Sequence, residues 1–235
     1  MSINTRAATK AKEGPFPAQR TARWMALGAI AGPVLFTVAW LVLGWVSPGF
    51  TIFGTRIEPY SPISAGISGL GLGPTAPYMN AAFVLTGILL GTGVVGAVYC
   101  IPELSVGARR TCIVSLCLTP LGSVMDGLFT LESFFPHFVG AALGFGSPIV
   151  SFVVCGLVLR GVSSWRRFAN WLLLGSPLTL ALTVLYFSTF TPTAEGARTG
   201  VAGLTERVLV LEVLAWFVAL GWLAFRRSGH GGRKL

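Results

Sequence analysis

Long runs of uncharged, apolar residues recur along the chain, and most polar residues lie between them. Because a helix rises about 1.5 Å per residue, about 20 apolar residues cross the roughly 30 Å of hydrocarbon in a bilayer. Six runs have about that length, and they are 24–46, 77–101, 111–131, 138–159, 168–190 and 208–225. The pattern predicts an all-α fold, a polytopic transmembrane helix bundle of six spans.

The composition supports this prediction and excludes several classes of protein. Hydrophobic residues make up 53% of the 235 residues and charged residues only 11%, and the mean hydropathy is +0.75. No soluble domain could bury so much apolar surface, and disordered chains and disulfide-rich secreted scaffolds have different compositions. We expect a basic tail at 1–23, the six-span domain at 24–225 and a second basic tail at 226–235.

The distribution of basic residues predicts the orientation in the membrane. Fourteen of the 17 Lys and Arg residues lie in the two tails and in the second and fourth loops, whereas the alternate loops hold only Arg56, Arg198 and Arg207. The positive-inside rule therefore predicts a multi-pass protein of the cell membrane with both termini cytoplasmic. We interpret the net charge of +9 as a topology signal and a contact with anionic lipid head groups, and we expect no nucleic acid partner.

The few ionisable residues at the outer ends of the spans are the candidate functional groups, because such groups are costly in a membrane. Asp126 lies within the third span, in its outer half, and Glu212 lies about one turn below the outer surface. His137, Asn80 and the pair Glu206–Arg207 are at the outer ends of other spans. We therefore predict one outer-leaflet polar pocket. Its predicted ligand-binding residues are Asn80, Asp126, His137, Glu206, Arg207 and Glu212, with Glu132 nearby.

Structural roles would also explain these residues. Asp126 could hold helices together through hydrogen bonds, and His137 could be a packed residue at the membrane interface. Glu206 would favour the dipole at a helix start, and Arg207 could reach a head-group phosphate. Pairs of glycines four residues apart, such as Gly140 and Gly144, predict close helix contacts rather than a dimer.

Three functions remain open. The first is binding of a lipid, a small amphiphile or a membrane-protein partner in the pocket, which needs no cofactor and no metal. The second is proton-coupled transport with Asp126 and Glu212 as titrating groups, although the inner halves of the spans hold few polar residues.

The third function is a membrane-embedded hydrolase in which Asp126 orients His137 as the acid and base. Ser64 or Ser68 would supply its nucleophile only if the first outer loop folds back onto the pair. The chain has no G-x-S-x-G motif, and its only histidines are His137 and His230, which disfavours a catalytic zinc.

Several short motifs resemble a known family. They are YSPI at 60–63 with ISGLG at 67–71, PYMNAAF at 77–83, the segment 127–137 ending in FPH, and GLTER at 203–207 followed by Trp216. Together they resemble a bacterial six-helix membrane family, domain of unknown function 998, over nearly all of residues 24–227. The resemblance implies a fold and a topology but no activity. The family often carries an acid after the loop serine, where this chain has Gly69, and this departure argues against a catalytic or metal role based on that pair.

Overall fold

Six helical spans packed side by side form the body of the protein. The computed structural model describes residues 19–229, so residues 1–18 and 230–235 of the predicted tails, His230 included, lie outside the described part. The spans are Gln19–Val46, Gly73–Tyr99, Val106–Leu128, Phe134–Arg160, Ser163–Thr189 and Ala202–Ser228. The predicted six-span helical fold is confirmed, and the chain is a multi-pass membrane protein.

Two of the spans are interrupted helices. The α-helices in chain order are α1 (Gln19–Met25), α2 (Gly28–Val46), α3 (Ala76–Tyr99), α4 (Val106–Leu128), α5 (Phe134–Ala141), α6 (Ser147–Arg160), α7 (Arg166–Thr189), α8 (Ala194–Thr199) and α9 (Ala202–Ser228). The first span divides between α1 and α2. In the fourth span a π-helical turn, Ala142–Gly146, separates α5 from α6. The apolar pattern indicated neither interruption.

The ends of two spans differ from the predicted ends. Helix α4 ends at Leu128, with an extended Phe129 after it, whereas the apolar run continues to residue 131. Helix α9 begins at Ala202, six residues before the predicted start. Glu206 and Arg207 therefore lie in the second turn of α9 and not at its start. Hydrogen bonds with the first long loop pair the Glu206 carboxylate and the Nη atoms of Arg207, so the helix can begin before its apolar run.

Glycines let neighbouring helices approach closely, as predicted. A Cβ atom on Gly32 would lie 3.0 Å from the Thr86 carbonyl oxygen of α3, and one on Gly87 would lie 2.6 Å from the Pro120 carbonyl oxygen of α4. The two members of the predicted pair Gly140 and Gly144, in α5 and the π turn, differ from one another. A Cβ atom on Gly140 would collide with the Asp126 carboxylate, whereas one on Gly144 would meet no atom within 4 Å.

The long loop 47–75 is folded. It begins with an antiparallel hairpin of β1 (Phe50–Ile52) and β2 (Thr55–Ile57), joined by Phe53 and Gly54, which both have positive φ. Two residues of positive φ are typical of the type I′ turn that suits the twist of a hairpin. The loop continues into a buried 3₁₀ turn, Ile67–Gly71. We call the end of the bundle that carries this loop the hairpin end, and the opposite end, which carries Gln19 and Gly229, the terminal end.

Arginines and aromatic rings pack together at the terminal end. The Arg23 guanidinium lies 4.3 Å from the centre of the Phe225 ring, and its Nε atom donates to the Phe225 carbonyl oxygen. The Arg227 guanidinium lies 4.6 Å from the centre of the Trp165 ring. Such cation–π contacts connect the first span, the fourth loop and α9 where the chain leaves the membrane.

Candidate functional site

A cavity of about 630 Å³ opens inside the hairpin end of the bundle, within the range of about 300–1,000 Å³ that is usual for ligand pockets. Its deep wall is mostly apolar and includes Leu90, Val213 and Leu214, with Thr86 and Thr119 among them. Its upper wall carries Ser64, Ser68, Asp126, His137 and Glu206. From Glu206 to Leu214 the wall descends eight residues of α9, about 12 Å at about 1.5 Å per residue.

The mouth of the cavity is bordered by aromatic rings. Phe134 and Phe138 of α5 and Phe187 of α7 line the cavity and are also exposed, at 65%, 50% and 48%. Phe53, at the tip of the hairpin, adds a fourth exposed ring. Because Phe138 and Phe187 lie on spanning helices, this side of the mouth faces the lipid.

His137 bridges the long loop and the third span. Its Nε2 atom lies 3.0 Å from the Ser68 hydroxyl, and its Nδ1 atom lies 2.7 Å from the Phe129 carbonyl oxygen. A carbonyl oxygen can only accept, so the Nδ1 atom of a neutral ring must carry the hydrogen. The Nε2 atom then accepts the Ser68 hydroxyl proton. The long loop 47–75 therefore folds back onto His137, as a serine nucleophile would require.

Asp126 is buried beside this histidine. Its Oδ1 atom lies 3.6 Å from His137 Nδ1, too far for a hydrogen bond, and has no hydrogen-bond partner. The side chain is 9% exposed. Gly140 makes room for the carboxylate, because any side chain there would overlap it. A buried and unsatisfied carboxylate oxygen in a cavity wall is unusual and suggests a role beyond packing.

Glu206 fixes the loop that carries Ser68. Its Oε2 atom accepts a hydrogen bond from the Ile67 backbone N–H at 2.9 Å. The contact requires a glycine at position 66, because a Cβ atom there would lie 2.6 Å from the same oxygen. Glu206 thus places the 3₁₀ turn with Ser68 while it lines the cavity itself.

Arg207 lies behind the cavity wall and holds the same loop. Its Nη1 atom donates to the carbonyl oxygens of Pro62, Ala65 and Gly203 at 2.7–3.0 Å, and its Nη2 atom donates to the Tyr60 hydroxyl at 2.5 Å. Burial, opposed in part by this guanidinium, raises the pKa of Tyr60 to about 12. The Tyr60 phenol therefore stays neutral and donates to the Gly66 carbonyl oxygen at 3.2 Å.

The other predicted site residues lie outside the cavity lining. Asn80 donates to the Gly71 carbonyl oxygen at 3.3 Å. Glu212 accepts hydrogen bonds from the Thr179 hydroxyl and the Trp216 indole, between α7 and α9. Glu132 accepts from the backbone N–H of Phe53 at 3.3 Å and so holds the hairpin tip. The structure therefore brings together Asp126, His137 and Glu206 on one wall, with Arg207 behind it, and it separates Asn80 and Glu212 from them.

Sequence reasoning gave no role to two groups that complete the site, Tyr60 and the Phe129 carbonyl. A backbone oxygen leaves no signal in the sequence, and Tyr60 stands out only as part of the YSPI motif at 60–63. Within residues 19–229, no three His, Cys, Asp or Glu side chains are grouped as a metal ion requires.

One known protein family matches most of the chain. A family model described as "Protein of unknown function (DUF998)" matches residues 30–223. The chain belongs to the DUF998 family. The resemblance of the short motifs is thereby confirmed, and the DUF998 match includes every residue of the cavity wall. No curated protein and no solved structure matches the chain.

Proposed function

We propose that this DUF998 protein binds a single-chain amphiphile of the bilayer in the cavity at its hairpin end. The observation that carries the proposal is one cavity whose depth is mostly apolar and whose upper wall holds Asp126, His137 and Glu206. An acyl chain would lie against Leu90, Val213 and Leu214, where it replaces lipid contacts at little cost. The polar head would lie beside Ser64 and Asp126, whose buried oxygen atoms lack hydrogen-bond partners.

The chemistry of the upper wall selects the kind of head group. Asp126 and Glu206 present carboxylate oxygens to the cavity, whereas the Nη atoms of Arg207 donate hydrogen bonds to the loop. A head group with hydroxyl or ammonium donors would satisfy these acceptors, and a head group with acceptors alone would leave them unpaired. We therefore expect a neutral, hydroxylated amphiphile such as a glycerol lipid with one chain.

The distribution of the basic residues supports a cavity in the outer leaflet. With both termini in the cytoplasm, the hairpin end faces the exterior, and the mouth between Phe138 and Phe187 admits the ligand from the outer leaflet of the cell membrane. The alternative function, proton-coupled transport, receives no support from Glu212. This side chain accepts hydrogen bonds from Thr179 and Trp216 and lies outside the cavity lining.

The binding test uses a glycerol ether lipid that carries a photoreactive diazirine at the end of its alkyl chain. Irradiation with the full chain in lipid nanodiscs should produce adducts on deep wall residues such as Leu90 and Val213. An excess of the unlabelled ether should suppress these adducts. Adducts confined to lipid-facing residues, or adducts that survive competition, would contradict the proposal.

A matched pair of variants on α9 locates the site. Val210 is buried and lines the cavity, whereas Val208 is 45% exposed and does not. Val210→Trp should fill the cavity and reduce the competable adducts at least tenfold, and Val208→Trp should leave them unchanged. Equal labelling of the two variants would show that the lipid binds elsewhere.

A further inference from the structure

We infer that Ser68 and His137 form a nucleophile and general-base pair that hydrolyses the acyl ester of a hydroxylated single-chain lipid. The inference rests on the proposed binding function and adds a reaction to it. Both side chains line the cavity, and their hydrogen bond lies where the polar head and the acyl chain of such a lipid would meet. An ester carbonyl occupies that junction in an acylglycerol.

The geometry of the pair suits proton transfer from the serine. The 3.0 Å separation of Ser68 Oγ and His137 Nε2 is within the range of about 2.6–3.2 Å expected of a nucleophile and its base. The Phe129 carbonyl oxygen holds the Nδ1 proton at 2.7 Å, which leaves Nε2 free to accept. A backbone carbonyl thus fixes the tautomer, the task that a carboxylate performs in many hydrolases.

Asp126 adds charge without making this hydrogen bond. When the imidazole takes the serine proton it becomes a cation, and the nearest carboxylate oxygen is Asp126 Oδ1, 3.6 Å from Nδ1. The two side chains are buried, at 8% and 9% exposed, so solvent screens their attraction only weakly. Asp126 is therefore a positioning residue, and the pair needs no acid at position 69.

The reaction proceeds in two balanced halves. The Ser68 oxygen attacks the ester carbonyl carbon as its proton passes to His137 Nε2, the bond to the glycerol oxygen breaks, and Nε2–H protonates the departing alcohol. Water then attacks the acyl-serine and gives a proton to Nε2, and that proton returns to the Ser68 oxygen as the carboxylic acid leaves. Water is the only co-reactant.

Two other groups of polar or nucleophilic side chains have no cavity large enough for a ligand beside them. Glu212 with Thr179 and Trp216 forms a satisfied polar contact with no cavity beside it. Cys112 and Cys155 are buried against one another near an apolar space of only about 10 Å³, which is too small for a ligand. Ser68 and His137 alone combine a nucleophile, a base and an adjacent cavity among the described residues.

The first test is covalent labelling. A long-chain alkyl fluorophosphonate, added to the full chain in detergent, should give a single adduct by intact mass, and peptide mapping should place it on Ser68. Ser68→Ala should abolish labelling, and His137→Ala should slow it by about 100-fold or more, the usual contribution of a general base. Ser133→Ala, an exposed serine four residues before His137, should label as the wild type does.

Asp126 is tested with the same reagent, because the fluorophosphonate group has no donor for its carboxylate. Asp126→Asn should slow labelling about tenfold, which is the order expected for a charge near the imidazolium, and Asp126→Glu should restore part of the rate. Melting temperatures measured in parallel identify any variant that has unfolded. A stable Asp126→Asn variant that labels at the wild-type rate would remove Asp126 from the mechanism.

The second test separates binding from chemistry. The protein in nanodiscs should convert a monoacylglycerol to glycerol and a fatty acid, and Ser68→Ala should not. The ether lipid of the binding experiment cannot be hydrolysed and should still crosslink to Ser68→Ala. Ether binding without hydrolysis or labelling would overturn the hydrolase and leave the binding proposal intact, whereas loss of ether binding in the wild type would overturn both.

Discussion

Arg207 illustrates at the residue scale how neutral oxygens can pair the terminal Nη donors of a buried guanidinium, whereas its buried Nε atom has no hydrogen-bond partner. It donates to three backbone carbonyl oxygens and to the Tyr60 hydroxyl, and its charge lies 5.3 Å from the centre of the Trp40 ring. Charge-assisted hydrogen bonds are stronger than neutral ones and their donors are costly to leave unpaired. Arg207 therefore joins α9 to the loop that carries Ser68.

Removal of the Tyr60 hydroxyl should weaken this junction. Tyr60→Phe leaves one guanidinium donor without a partner and removes one of the two hydrogen bonds that the Gly66 carbonyl oxygen accepts, the other coming from the Gly69 N–H. This loss should lower the free energy of unfolding by about 1–3 kcal/mol. A lower melting temperature in detergent would show the effect. Tyr78→Phe is the control, because Tyr78 is 70% exposed, and a similar loss in both variants would contradict the proposed role of Tyr60.

The same hydroxyl predicts a dependence on alkaline pH. The pKa of Tyr60 is raised from its ordinary value of 10.0 to about 12, so folding favours the neutral phenol. Its contribution to stability is complete below pH 10 and is lost as the pH rises through about 12. The tyrosinate absorbance of wild type minus Tyr60→Phe should thus rise near pH 12. A difference that titrates near pH 10 would show an exposed phenol.

At the scale of elements, the fourth span approaches Asp126 closely because it has a glycine at the contact. Gly140 of α5 lies against the carboxylate, and the π turn Ala142–Gly146 follows directly. A π turn inserts an extra residue into a helix and is frequent at functional sites. Here it comes immediately after the turn that carries His137 and Gly140, and it adds Phe145 to the cavity wall.

Two alanine substitutions in this span should have different effects. Gly140→Ala would overlap Asp126 and should destabilise the fold by about 1–3 kcal/mol, the usual cost of overpacking. Gly144→Ala meets no atom within 4 Å and should be neutral or stabilising by up to about 1 kcal/mol, because alanine favours a helix over glycine. The comparison of melting temperatures checks both. A stable Gly140→Ala variant would mean that Asp126 can move aside.

For the whole molecule, the unequal distribution of basic residues predicts that both termini are cytoplasmic. Alkaline phosphatase is active only outside the cytoplasm, so a fusion after Gly54 at the hairpin tip should be active and a fusion after Leu235 inactive. Green fluorescent protein fused after Leu235 should fluoresce. The opposite pattern would place the cavity in the inner leaflet and would contradict the proposed access from the outer leaflet.

The six spans could be predicted from the sequence because membrane insertion depends on local composition. Each span satisfies its own backbone hydrogen bonds, and its length is set by the thickness of the hydrocarbon. The same reasoning found Asp126, His137 and Glu206, since ionisable side chains are rare in such segments. The same pattern wrongly grouped Glu212 and Asn80 with these three residues. Position along a helix gives the depth of a residue in the membrane, but it does not give the side of the helix that faces the cavity.

The sequence by itself determined the number of spans, the family motifs and the approximate depth of the polar groups, because these follow from residues close together in the chain. Only the tertiary structure decided which groups meet. Ser68 reaches His137 because Glu206 and Arg207, about 140 positions away in the chain, hold the loop against α9. Contacts over such distances depend on how helices rotate and pack, and a local pattern does not encode that arrangement.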